Sequence, residues 1–81
     1  MQAGLIEDTC LMLFVKNLRN QEQTLRYSIA PTDHGWEVRE ERDRQVVRTA
    51  HYSDWHRVER VKRSIVVQLD ALRQKGWREE N

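Results

Sequence analysis

His51, Asp54 and His56 stand close together in the chain, and imidazole and carboxylate groups are the ligands that hold divalent metals. Around them gather Arg48, Arg57, Arg60, Lys62 and Arg63, against only Asp54 and Glu59 between positions 48 and 63. Such arginines are possible nucleic-acid phosphate contacts, and Tyr52 adds a ring on which a base could stack. Each signal has a plainer reading. The His-Asp-His spacing is not diagnostic of a metal site, and unliganded surface histidines account for it. The arginines equally describe a solvated face. No Ser or Cys has an evident base beside it, so nucleophilic and acid–base catalysis find no support. The chain reads as noncatalytic, with no cofactor motif and no metal site.

These residues fall where a strand hands over to a helix. Ser53 is the expected helix cap, with Asp54 in the positive first turn, and the helix runs from about 54 to 75 before Gly76 ends it. Within it Val58, Val61, Ile65, Leu69 and Leu72 follow helical spacing, with the Lys62 stem along the edge of the stripe. At about 100° per residue, Arg60, Arg63 and His56 share the outer face while Arg57 turns to one flank. Basic residues this early in a helix oppose its dipole, a conflict that a bound anion would relieve.

Upstream, Leu25, Tyr27 and Ile29 alternate with Arg26 and Ser28, the pattern of a strand with one wet face. Pro31 ends it, Thr32-Asp33-His34-Gly35 supplies the turn, and Trp36 and Val38 resume the alternation. A polar turn around Arg42-Asp43-Arg44 leads to a third strand, Gln45 to His51. Either Val47 and Thr49 or Val46 and Ala50 face inward there, since a one-residue slip exchanges the faces. Trp36, Trp55 and Trp77 are assigned to the core or its rim.

The N-terminal residues are ambiguous. Leu11, Phe14, Val15 and Leu18 have helical spacing after Asp8 or Thr9, yet the run Cys10 to Val15 also suits a buried strand. Helix is preferred. Arg19 to Gln23 then forms the connector to the first strand. The expected organisation is a 1–23 extension used in self-association, a 24–77 α+β domain with a three-stranded antiparallel sheet packed on one long C-terminal helix, and a 78–81 polar tail.

The Gly35-Trp36-Glu37-Val38 strand, the polar turn, the Arg48–Tyr52 stretch and the helix from Ser53 resemble small bacterial domains of unknown function that carry a Gly-Trp-x-Val β-hairpin followed by a helix. The resemblance covers about half the chain. It implies a fold type and a bacterial or phage origin, and assigns no catalytic residues.

With 81 residues the chain is one small domain, near the size where a single core stabilises a fold by only roughly 3–5 kcal/mol. Fourteen basic and thirteen acidic residues leave a formal charge of +1, so no overall field draws it to nucleic acid or anionic lipid. A lone Cys10 cannot close an intramolecular disulfide, which fits a reducing cytoplasm. The apolar run Cys10–Val15 falls short of the roughly 20 residues of a membrane span, and Glu7 and Asp8 stand where a signal peptide would be positive. Leu11, Phe14 and Val15, with Val67 on the outer helix face, are the possible self-association residues. The expected function is a noncatalytic protein-interaction module, a homodimer or the partner of another protein. A nucleic-acid binder using Arg48, Arg57, Arg60 and Arg63 is the alternative.

Overall fold

The structure is a computed structural model that describes residues 14–80. Four strands follow one another as an antiparallel meander: β1 (Phe14–Asn20), β2 (Gln23–Thr32), β3 (Gly35–Arg42) and β4 (Gln45–Tyr52). The helix α1 (Trp55–Gln74) then crosses one face of the sheet, and β5 (Arg78–Glu80) returns beside β1. The strand order is β4-β3-β2-β1-β5. The α+β class and the packing of the C-terminal helix on an antiparallel sheet agree with expectation, and the sheet has five strands rather than three.

Two corrections follow from this. Residues 14–20 are a strand, not a helix, with Leu18 opposite Leu25 and only 1% exposed. Helical spacing at 14, 15 and 18 also permits a strand that places Phe14 and Leu18 on one face and Val15 on the other, and pairing with β2 along its whole length satisfies the backbone groups on that side. The part of the helix expectation on residues 1–13, Leu11 included, lies outside the described residues. Nor is Arg78–Glu80 a polar tail. It pairs with β1 and is held by ion pairs from Lys16 to Glu79 at 3.0 Å, from Arg19 to Glu80 at 3.4 Å, and from Arg73 to Glu79.

The three connections within the meander are two-residue turns, and two of them bring residues into positive φ. Gln21 has φ 59°, and Asp43 and Arg44 have 51° and 71°, the pairing that a type I′ hairpin requires. Asp43 also locks its turn to β2: its Oδ1 accepts from the Thr24 amide at 2.9 Å, and its own amide donates to the Thr24 carbonyl at 3.0 Å. Gly35 has φ 145°, and a Cβ there would collide with the Tyr52 carbonyl oxygen and lie 2.9 Å from Ser53 Cα. The glycine lets the end of β4 lie directly against the start of β3.

Asp54, not Ser53, caps α1. Its Oδ1 accepts from the His56 amide at 2.9 Å, so the first turn contains no acidic residue. The other end closes as expected at Gly76, with φ 103°: the Gly76 amide donates to the Arg73 carbonyl and the Trp77 amide to the Leu72 carbonyl, the paired bonds of a Schellman motif. That turn redirects the chain into β5.

The core lies between α1 and one face of the sheet. Leu18, Leu25, Tyr27, Ile29, Val58, Ile65 and Leu69 are buried, and Phe14, Val38, Val61, Leu72 and Trp77 are packed around them half-buried. Lys62 extends along the stripe edge with its Nζ 5.6 Å from the Phe14 ring centre. Trp36 and Trp55 meet at 5.2 Å between ring centres, with Trp55 39% exposed. They form a rim above the core. Among the described residues, no element covers the opposite face of the sheet.

Candidate interaction surfaces

The basic residues do not converge. Arg48 lies on β4 beneath the flank of α1, where the space between helix and sheet is lined also by Tyr27, Glu40, Tyr52 and Gln68. Arg57 borders a shallow depression with His51, Tyr52, Ser53 and Asp54. Arg63 belongs to another hollow on the helix, shared with Glu59, Lys62, Val66 and Val67. Arg60 is exposed on the solvent side of α1. Four arginines are thus divided between the helix–sheet cleft and different flanks of one helix.

The histidines and Asp54 have other roles. Asp54 is engaged as the helix cap, and His51 Nε2 lies 3.4 Å from Glu37 Oε2, an ion pair when the imidazole is protonated. Glu37 is shared with Arg39, 3.0 Å away. Among the described residues, no group of three or more His, Cys, Asp or Glu side chains could hold a metal ion. No helix among them is long and apolar enough to cross a membrane.

The self-association residues are also separated. Phe14 packs on the core cluster, Val15 is half-buried on the uncovered sheet face opposite Ser28, and Val67 is 67% exposed on the outer surface of α1. They do not make one patch.

A different apolar surface, without a composition signal strong enough to mark it, lies on β4. Glu40 pairs with Arg48 while Glu41 pairs with Val46, so the ladder skips Val47 and the strand bulges there. The bulge answers the register question with neither simple alternation: Ala50 faces the helix with Arg48 and Tyr52, while Val46 and Val47 are 52% and 53% exposed. β4 is the outermost strand on its side. Its outer backbone groups have no strand partner among the described residues.

On the uncovered face, Arg26 stands between Asn17 of β1 and Glu41 of β3 in the ladder. Its Nε is buried without a hydrogen-bond partner, a cost of about 1–3 kcal/mol for such a donor. Arg19 and Arg44 border the same polar depression, together with Glu41 and Glu80.

The cleft under α1 is the most mixed in chemistry. Its floor is apolar, and Tyr27 donates from its hydroxyl to Gln68 Oε1 at 3.2 Å. Burial raises the Tyr27 phenol above its ordinary pKa, with Glu40 adding to the effect and Arg42 and Arg48 opposing it. The carboxylate of Glu79 at the far edge is shifted the other way, downward, by hydrogen bonds from Lys16 and then Arg73. Comparison with protein-family models, curated proteins and solved structures finds no match to this chain.

Proposed function

We propose that the protein is a noncatalytic protein-interaction module that self-associates through β4, pairing with β4 of a second copy to continue the sheet. One observation carries the reading: an eight-residue outer strand, without proline or lysine, exposes Val46 and Val47 at an unpaired sheet edge. Antiparallel pairing about a two-fold axis at Thr49 sets Thr49 against its counterpart, Arg48 against Ala50 and Val47 against His51. A register centred on Arg48 would oppose two guanidinium groups, which is unfavourable. The bulge shortens the regular pairing, so the expected dimer is reversible. A reducing cytoplasm suits a chain with the single Cys10.

Light scattering across a micromolar concentration series tests this. The native chain should approach twice its own mass, and Val47→Lys and Thr49→Lys should each restore the monomer. Both positions are exposed, so stability should change by no more than about 0.5 kcal/mol. A native chain that stays monomeric, or a dimer unaffected by both lysines, overturns the reading. The nucleic-acid alternative draws less support, because Arg48, Arg57, Arg60 and Arg63 open onto different surfaces.

A further inference from the structure

We infer that the cleft between α1 and strands β3 and β4 is a binding site for a small organic carboxylate carrying a flat apolar body. The cleft holds about 410 Å³, within the range of small-molecule sites, which runs from about 300 to 1,000 Å³. Val38, Ala50, Val61 and Ile65 give it an apolar lining, against which a single ring can lie.

The polar groups around that lining are arranged for an anion. Arg48 sits opposite Glu40 in the ladder, yet Glu40 Oε2 is taken by Arg42 Nε at 3.2 Å. Arg48 therefore makes no ion pair among the described residues, and its guanidinium borders the cleft as an uncommitted fork of donors. The carboxylate of Glu40 is matched by Arg42, so the balance at this end of the cleft favours negative charge. Across from Arg48, the Gln68 carbonyl oxygen is occupied by the Tyr27 hydroxyl. That leaves the Gln68 amide nitrogen to donate, with the Ser64 hydroxyl one turn away on the same helix. A carboxylate bridging from Arg48 toward Gln68 and Ser64 meets donors from both sides, while its ring covers Ala50 and Ile65.

Val47 lies outside the cleft, so Val47→Lys disturbs the strand pairing without altering the lining. Benzoate and its neutral counterpart benzamide are suitable probes, titrated into the ¹⁵N-labelled chain at neutral pH and followed by NMR. Benzoate should produce saturable shifts at Ala50, Ser64, Ile65 and Gln68. Benzamide should bind roughly tenfold more weakly, as expected for loss of a charge-assisted hydrogen bond. Arg48→Gln should reduce benzoate to the benzamide level, and Ser64→Phe, filling the cleft from an exposed helix position, should abolish both. Val47→Lys should leave benzoate binding unchanged. Absence of saturable shifts, equal binding of the two probes, or benzoate binding that survives Arg48→Gln would each overturn the assignment. A native chain that stays monomeric yet binds benzoate counts against the strand-pairing reading alone.

Discussion

The two edges of the sheet are built on opposite principles. β5 is three residues long, every one of them charged, and its glutamates are tied to Lys16, Arg19 and Arg73. β4 is eight residues long, has Arg48 as its only Lys, Arg, Asp or Glu, and leaves two valines in water. Short length and charge are the means by which proteins keep an edge from pairing with other chains. β5 has both of them. β4 has only a bulge, which interrupts pairing near Val46 and Val47 and leaves Arg48 to Tyr52 regular. One edge is closed by its side chains, the other remains open, and that asymmetry directs the functional proposal to β4.

The comparison breaks most severely at the core beneath the closed edge. Leu18 on β1 is 1% exposed and pairs with Leu25 on one side and Glu79 on the other. Leu18→Ala should cost about 2–5 kcal/mol in denaturant unfolding, and β5 should lose its amide protection with it. A change below about 0.5 kcal/mol would remove β1 from the core.

Comparable in size is the effect at the joint that holds the open edge. Gly35→Ala places a methyl group against the Tyr52 carbonyl at a φ that side chains avoid. The expected loss is about 2–6 kcal/mol, from backbone strain of about 1–3 and overpacking of about 1–3. Chemical-shift changes should concentrate at Tyr52 and Ser53. A neutral substitution would mean that β4 does not end against Gly35.

The smallest effect sharpens the contrast through pH. Because the pKa of Glu79 is lowered in the fold, its ion pairs contribute fully above the ordinary carboxylate pKa of about 4.3 and are lost as pH falls through the lower folded value. Amide exchange at β5 should therefore accelerate in acid relative to the expected chemical rate, while β3 remains protected. Glu79→Gln should remove that pH dependence. Unchanged protection of β5 throughout the acid range would show that backbone pairing alone holds this edge.

Much of the molecule was legible in the order of its residues. The alternation at Leu25, Tyr27 and Ile29, the glycine at 35, the apolar stripe of α1 and the stop at Gly76 are local signals, set by side-chain period and by backbone conformations open to glycine. Other features required contacts between distant parts of the chain. Phe14–Asn20 has a spacing compatible with helix or strand, and only the available edge of β2 selects the strand. Arg78–Glu80 looks like a solvated tail until Lys16 and Arg19 are brought beside it. The shift of cap from Ser53 to Asp54 depends on which side chain reaches the His56 amide.

The surfaces divide in the same way. The sequence alone determined which residues are apolar, charged or conformationally special, because those are properties of single side chains and their near neighbours. The tertiary structure decided that the arginines part company, that Val46 and Val47 lie at an open edge, and that Arg48 faces Gln68 across a cleft. The physical reason is the bulge at Val47 together with the path of α1: one unpaired residue reverses the alternation of β4, and no local pattern announces which residue a ladder will skip.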